Sequence, residues 1–302
     1  GTLTFKDDNL SNTIASGAVL VKGVPHQFLE WQENGFLYVT NGRDLVEIDG
    51  QTGASGTADM TAFRLPIGWV ITSVFDAGEY IGICAVYFPG TWTGYPSNNY
   101  HSRAAVFFWD GVSSKWSRKI KITDTIIGAS KVLNGQYYTF GINVRGEGTI
   151  RKWNGDTFEL KQIIRPKQSG LIADHRYVET YGCVDVYNDL LIFTVGPSTA
   201  KGEIFAYGSL EPGLPEALVN IMRGETITST SGWAIAVTPT VFVFSHYDTA
   251  NTVYYLSKAT LWTIDDTKFY IQTPYFEFPQ KARINYVKLY FQTLATGQGD
   301  DI

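Results

Sequence analysis

The sequence predicts an all-β protein and, within that class, a β-propeller of four-stranded antiparallel blades. Aromatic residues make up 15% of the chain, and there are 30 Gly against only 2 Met, which is a composition typical of strands and tight turns. A tight turn followed by an apolar run recurs five times along the chain. Helical spacing of apolar residues is interrupted by Gly, Pro or β-branched runs in every window of about fifteen residues.

The first turn of each repeat has the composition of a β-hairpin turn. Asn-Gly and related pairs suit type I′ turns, because both central residues of such a turn need positive φ. The turns follow one another at intervals of about 40 to 60 residues, close to the length of a propeller blade. They lie at Asn34-Gly35, Ala77-Gly78, Asn134-Gly135, Asn188-Asp189 and Thr238-Pro239.

A second turn follows the first at a variable distance in each repeat. These turns are predicted at Ile48-Asp49-Gly50, Trp109-Asp110-Gly111, Trp153-Asn154-Gly155, Ala206-Tyr207-Gly208 and, as a weaker fifth, Leu256-Ser257-Lys258. Each unit therefore contains two hairpins joined by a loop. This pattern is typical of one propeller blade.

The repeats divide the chain into a propeller over residues 1–265 and a C-terminal stretch over residues 266–302. The five units are expected near residues 27–66, 67–122, 123–166, 177–222 and 231–263. Residues 266–302 are expected to supply closing strands or to begin an adjoining β-sheet domain. Because propellers often close by pairing strands from the two chain ends, six blades are favoured over five. Whether the native polypeptide continues past Ile302 stays open.

The fold predicts one recognition surface. In a propeller, the loops between second and third strands share a face with the loops that join blades. Large aromatic side chains offer contact area and also stack on sugars. The candidates are Trp92, Tyr95, Tyr100 and His101 in one strand-linking loop, Asp174, His175 and Arg176 in a blade-joining loop, and His246, Tyr247 and Asp248 in another strand-linking loop. The competing interpretation is that these side chains only pack against one another.

Metal and cofactor sites are not predicted. The sequence has no His-x-x-x-His pair and no cluster of cysteines, which are the usual signals of a zinc site. Cys84 and Cys183 each lie in an apolar, strand-like run, so both are expected to be buried thiols and not a disulfide.

A catalytic centre is not predicted either, although a propeller glycoside hydrolase stays an alternative. Such enzymes need two carboxylates that face each other across a pocket. Available carboxylates are Asp76, Asp124, Asp174, Asp185 and Asp248, but no spacing selects a pair. The sialidase-type Asp box, Ser-x-Asp-x-Gly-x-x-Trp, is missing from the sequence.

Charge and hydropathy argue against two classes of partner. Charged residues make up 18% of the chain and the net charge is −5, which opposes a nucleic-acid partner. The apolar runs are far shorter than the ~20 residues of a membrane-spanning helix, so no membrane span is expected. Residues 1–8 lack the features of a secretory leader, but export stays open.

The stretch from Tyr270 to Tyr290 contains Thr273-Pro274, then Phe276, and a basic stretch around Arg283 that leads into a strand-like run. In these features it resembles a segment of the propeller proteins that tailed bacteriophages build into their tails and tail hubs. The resemblance implies a structural protein of the virion, assembled in the host cytoplasm. The implied partners are other virion proteins and a host surface. The resemblance also implies that copies of the protein are arranged in a symmetric ring. The alternative from the same loops is an extracellular, carbohydrate-binding lectin.

Overall fold

The computed structural model describes eleven parts of the chain: residue 21 and residues 24–48, 58–88, 103–164, 183–195, 203–209, 215–223, 229–238, 241–248, 253–260 and 270–272. All secondary-structure elements in these parts are β-strands, numbered β1 to β20, and this confirms the predicted all-β class. None of the described residues belongs to a helix that is long and apolar enough to cross a membrane.

The strands form five antiparallel sheets, which are the propeller blades, and within each sheet all strands except β20 lie beside their neighbours in chain order. Blade one contains β1 (Phe28–Trp31), β2 (Phe36–Asn41), β3 (Asp44–Ile48) and β4 (Ala58–Arg64). Blade two contains β5 (Trp69–Asp76), β6 (Ile81–Tyr87), β7 (Arg103–Trp109) and β8 (Arg118–Ile122). Blade three contains β9 (Ile126–Leu133), β10 (Gln136–Ile142), β11 (Gly148–Trp153) and β12 (Phe158–Ile164).

Blades four and five depart from this regular pattern. Blade four contains β13 (Val184–Tyr187), β14 (Leu190–Val195), β15 (Glu203–Gly208), β16 (Ala217–Arg223) and β20 (Tyr270–Gln272). Blade five contains β17 (Ser229–Val237), β18 (Val241–Asp248) and β19 (Val253–Thr260). Four-stranded antiparallel blades are therefore confirmed as the basic unit, with one additional strand on blade four.

The preference for six blades over five is wrong for the residues described here, which form five. The prediction assumed that strands from the two chain ends would pair with each other. The C-terminal strand β20 instead pairs with the outer strand of blade four, where Ile271 lies opposite Val219. Residues 1–20 and 273–302, which the prediction also used, lie outside the described residues.

The first strand of each blade lies nearest the centre of the ring. In each pair of consecutive blades the first strands contact one another, β1 with β5, β5 with β9, β9 with β13 and β13 with β17, and second strands such as β6 and β14 add further contacts. The later strands of each blade therefore lie progressively further from the centre. This order places the blades side by side, with their faces packed on one another.

The hydrophobic core lies between these faces. Tyr38 and Phe63 of blade one pack on Trp109 of blade two, with ring centroids 5.9 and 5.1 Å from that of Trp109. Phe140 of blade three lies 5.2 Å from Phe193 of blade four. Each such ring pair adds about 0.5–1.5 kcal/mol to the burial of its area. The many aromatic residues of the sequence thus hold neighbouring blades together.

The predicted type I′ turn at Asn134-Gly135 is confirmed by its backbone. Asn134 has a φ of 50° and Gly135 a φ of 70°, between β9 and β10. The weaker turn predicted at Leu256-Ser257-Lys258 is wrong, because these residues lie inside β19 and Ser257 pairs with Phe244 of β18. Continuous pairing with a neighbouring strand here overrides the local preference of Ser and Lys for a turn.

Two faces of the ring differ in the connections that they carry. Blades are joined by short segments such as 65–68 and 123–125, so each first strand begins at the face where the preceding fourth strand ended. We call this the loop face; it also carries the connections between second and third strands. The opposite hairpin face carries the turns between first and second and between third and fourth strands.

Candidate functional site

Two long connections leave from the loop face. Residues 88–102 join β6 to β7, and residues 165–183 join β12 to β13. Both positions follow from the strand order, because second and fourth strands end at this face. The predicted site residues in these connections lie outside the described residues: Trp92, Tyr95, Tyr100, His101, Asp174, His175 and Arg176.

His246, Tyr247 and Asp248 lie in a strand and not in a loop. They are the last three residues of β18, and Asp248 is paired with Ser229 on one side and Val253 on the other. The loop prediction was wrong here because β18 keeps its pairing to both neighbours up to its final residue. As the second strand of blade five, β18 nevertheless ends at the loop face. The placement of these three side chains lies outside what the structure describes.

Three of the carboxylates that a glycoside hydrolase could use hold the backbone or a cation in place. Asp76 accepts a hydrogen bond of 2.8 Å from the backbone N–H of Gly78 in the hairpin turn. Asp124 is paired with Arg151, and Asp185 with Lys131. The other two candidates, Asp174 and the side chain of Asp248, lie outside the described residues. Asp76, Asp124 and Asp185 thus each hold a turn, a guanidinium or an ammonium group in place.

Polar side chains bridge the inner strands of blades one, two and three. The Gln27 side chain next to β1 donates to the backbone carbonyl of Val74 on β5 at 2.9 Å and accepts from its N–H at 2.7 Å. On the same strand, the hydroxyl of Ser73 is hydrogen-bonded to that of Ser130 on β9, and both are buried. Each bridge joins the first strand of one blade to that of the next.

A carboxylate continues these bridges to blades four and five. Asp185 on β13 lies 3.0 Å from the ammonium of Lys131 on β9. Its other oxygen accepts a hydrogen bond of 2.8 Å from the backbone N–H of Val237 on β17. One side chain thus contacts the inner strands of both neighbouring blades. The described centre of the ring is therefore held by polar contacts from blade one to blade five.

Both cysteines are buried thiols, as predicted. Burial raises the pKa of the Cys84 thiol to about 12, although hydrogen bonds with Ser73 and Ser130 act in the opposite direction. A thiol with so high a pKa is a poor nucleophile at neutral pH. Cys84 therefore belongs to the packing between blades two and three.

A buried ion pair stabilises blade three from within. The guanidinium of Arg151 on β11 contacts both carboxylate oxygens of Asp124, each at 2.8 Å. Thr149 donates to the same carboxylate at 2.7 Å. Gly141 has no space for a side chain, because a Cβ there would lie 2.4 Å from the carbonyl oxygen of Ile126. These contacts fix the start of the blade.

A second cluster joins blades three and four and was not predicted from the sequence. Both oxygens of Glu216 accept hydrogen bonds from tyrosine hydroxyls, from Tyr138 at 2.7 Å and from Tyr207 at 2.8 Å. The ammonium of Lys152 lies 2.6 Å from the same carboxylate. These residues come from four different strands or their ends, so no local spacing in the sequence could have indicated them.

The electrostatics of this Glu216 cluster suit a structural contact. Burial raises the pKa of Glu216, but hydrogen bonds from Lys152, Tyr138 and Tyr207 outweigh it and leave the pKa below its usual value. Burial, with the carboxylate beside them, raises the pKa of both tyrosines. Glu216 is thus ionised and the phenols are protonated, which is the opposite of an activated phenolate nucleophile.

Metal ligands do not cluster in the described parts of the chain. No group of three or more His, Cys, Asp or Glu residues that could hold a metal ion occurs there. His26, a described histidine, has both ring nitrogens at hydrogen-bonding distance from backbone carbonyl oxygens, which can only accept: Nδ1 lies 2.8 Å from the oxygen of Thr40 and Nε2 lies 2.9 Å from that of Val21. This imidazole holds the entry to blade one.

Comparisons with known proteins identify no family. No family model matches the chain. No curated protein matches it.

Similar solved structures have low scores. The chain is similar to the subtype N10 neuraminidase-like protein of A/little yellow-shouldered bat/Guatemala/060/2010, with a TM-score of 0.40, 10% identity, and coverage of 80% of this chain and 81% of that one. A Trypanosoma rangeli sialidase in complex with 2,3-difluorosialic acid has a TM-score of 0.40, 10% identity, and coverage of 80% and 54%. A chain of the mitotic checkpoint complex has a TM-score of 0.41, 12% identity, and coverage of 90% and 88%. At these values, no activity, substrate or partner of those proteins follows for this chain.

Proposed function

We propose that this protein is a non-enzymatic recognition platform that binds another virion protein through its loop face. The observation that carries the proposal is the position of residues 88–102 and 165–183, the connections with the predicted aromatic and charged candidates. Both leave the ring at one face. A partner contacting that face would meet side chains from separate blades at once.

The internal chemistry of the ring supports a platform. Asp76, Asp124 and Asp185 hold turns, a guanidinium and neighbouring strands, and Glu216 holds two tyrosines and a lysine. Side chains committed to such bonds rigidify the blades that position the loops. A rigid scaffold lowers the entropy that loops lose on binding a partner. The class of partner rests on the resemblance of residues 270–290 to tail-associated propellers.

The test uses proteins encoded by the genes that flank this one, purified and presented to the immobilised chain. Trp92→Ala is the test variant, because a large aromatic side chain at an interface is a common binding hot spot. Val112→Ala is the matched control, since Val112 lies on the hairpin face and is 90% exposed. We expect binding to weaken at least about tenfold in Trp92→Ala and to stay unchanged in Val112→Ala.

Two further readouts make the outcome decisive. Thermal unfolding of Trp92→Ala should match that of the unaltered chain; a large drop in its midpoint would instead show that Trp92 is a packing residue. A glycan array separates the lectin alternative. If the chain binds a glycan, loses that binding in Trp92→Ala and binds no flanking-gene product, the proposal of a protein partner is wrong and the lectin alternative is supported.

A further inference from the structure

The outer strand of blade two presents an unusual row of cations. Strand β8 reads Arg-Lys-Ile-Lys-Ile from Arg118 to Ile122, and one edge of it pairs with β7. Within the described ranges, no strand pairs with its other edge. That edge leaves backbone N–H and C=O groups available to an additional strand.

Alternation along β8 divides its side chains between the two faces of the blade. Ile120 and Ile122 pack towards blade three, and Arg118 on the same side forms an ion pair of 2.6 Å with Asp156. Lys119 and Lys121 point to the opposite face, which packs towards blade one. Arg103 on β7 shares that face, because it alternates with Ala105 and Phe107.

Lys119, on this face of the blade, has aromatic neighbours. The ammonium of Lys119 lies 4.3 Å from the ring centroid of Trp69 and 4.9 Å from that of Phe107. Burial lowers the pKa of Lys119, and the nearby charge of Lys121 lowers it further. None of Lys119, Lys121 and Arg103 has an ion-pair partner among the described residues. A carboxylate placed between them would relieve this repulsion.

Two other outer strands, β4 and β12, carry cations that are paired with carboxylates. On β4, Arg64 is paired with Asp44 at 2.6 Å. On β12, Lys161 is paired with Glu159 at 2.8 Å. The unmatched positive charge of β8 stands out further because the chain as a whole carries a net charge of −5.

Lysines on an edge strand also have a general protective role, because like charges prevent two copies of the edge from pairing. That role needs only exposed lysines such as Lys121. It does not require the partly buried ammonium of Lys119 between two rings or an exposed arginine at the head of the adjacent strand. The positive charge that prevents two copies of this edge from pairing also attracts an acidic strand.

We propose that the outer edge of β8 is a docking site for an extended acidic segment of a partner protein. The segment would add to blade two as a further antiparallel or parallel strand. Alternate side chains of a strand lie about 6.5 to 7 Å apart on one face, so acidic residues at alternate positions would lie beside Lys119 and Lys121. This surface is separate from the loop face and does not depend on the proposed function.

The test measures anisotropy of fluorescein-labelled peptides added to the purified chain. One peptide alternates Glu and Thr, a second has Gln in place of every Glu, and a third is the Glu and Thr peptide with N-methyl groups on all of its backbone nitrogens. We expect the Glu peptide to bind at least about tenfold more tightly than the other two. Equal binding of the Gln peptide would refute the role of charge, and equal binding of the N-methylated peptide would refute strand addition.

Protein variants locate the binding edge. Lys119→Gln combined with Lys121→Gln should weaken binding of the Glu peptide at least about tenfold, whereas Lys119→Arg with Lys121→Arg should retain it. Arg145→Gln combined with Lys258→Gln is the matched control, because both are exposed cations that belong to other blades. If the control weakens binding as much as the test variant, the proposal is wrong. Binding of heparin without binding of the Glu peptide would also overturn it.

Discussion

Asp124 and Arg151 form an ion pair that is almost fully removed from water, with side-chain exposures of 1% and 9%. Replacing one partner leaves the other charge buried without compensation, which typically costs about 3 to 5 kcal/mol. We therefore expect Asp124→Asn to lower the free energy of unfolding by several kcal/mol, measured by urea denaturation. Asp156→Asn is the control, because its ion pair with Arg118 is exposed and should contribute little. Similar losses in both variants would contradict the structural role of Asp124.

Glu216 gives the protein a predicted dependence of stability on pH. Its pKa in the folded state lies below the unfolded value near 4.5, because Lys152, Tyr138 and Tyr207 stabilise the carboxylate. Its contribution is therefore complete above the unfolded pKa and is lost as the pH falls through the folded pKa. We expect unfolding free energies measured between about pH 6 and about pH 3 to fall less in Glu216→Gln than in the unaltered chain.

A control variant separates this effect from general acid sensitivity. Glu79 lies in the hairpin turn of blade two and is exposed. Glu79→Gln should keep the full pH dependence of the unaltered chain. If Glu216→Gln loses stability with acid as steeply as Glu79→Gln does, the Glu216 cluster does not carry the dependence.

Strand β20 is the element that decides how the outer edge of blade four is covered. Its backbone pairs with β16 at Leu218–Gln272, Val219–Ile271 and Asn220–Tyr270. Ile271→Pro should disrupt this pairing, because proline lacks the N–H group and fits poorly inside a sheet. Ile271→Ala loses the side chain but keeps the backbone, and is the matched control. We expect faster hydrogen–deuterium exchange of residues 217–223 in the proline variant alone; equal exchange in both variants would argue against the pairing.

Local signals predicted the hairpins well, because the φ preference of a turn resides in adjacent residues. Asn134-Gly135 has the positive φ angles that its sequence demands. Ser257 showed the limit of such signals, since its neighbours resemble a turn although the strand pairing with β18 continues through it. The placement of β20 on blade four depends on pairing between residues far apart in the chain, which no local pattern encodes.

Strand order predicts which face of the propeller carries the candidate site, but it does not predict the side-chain contacts. Strand order alone assigns residues 88–102 and 165–183 to one face. The contacts of Glu216 with Tyr138, Tyr207 and Lys152 join residues that are distant in sequence and become neighbours only when two blades pack together. The pairing of Asp124 with Arg151 was hidden in the same way, because the sequence shows five comparable aspartates and no indication of which one meets a guanidinium.

At the scale of the whole molecule, five blades are held by aromatic packing between their faces and by polar bridges near the centre. Gln27, Ser73 and Asp185 link consecutive inner strands from blade one to blade five. The five blades therefore form one scaffold. The connections at the loop face differ widely in length, from residues 123–125 to residues 165–183. Recognition on that face is the central claim, with the β8 edge as an independent second surface.

Hydrogen–deuterium exchange of the chain alone and in complex with the flanking-gene partner tests this claim most directly. We predict slower exchange in the complex at residues 88–102 and 165–183 of the loop face, because a bound partner excludes solvent there. Exchange at the hairpin turns 134–135 and 154–157, on the opposite face, should not change. Slower exchange at these hairpin turns with none at the loop face would contradict the account.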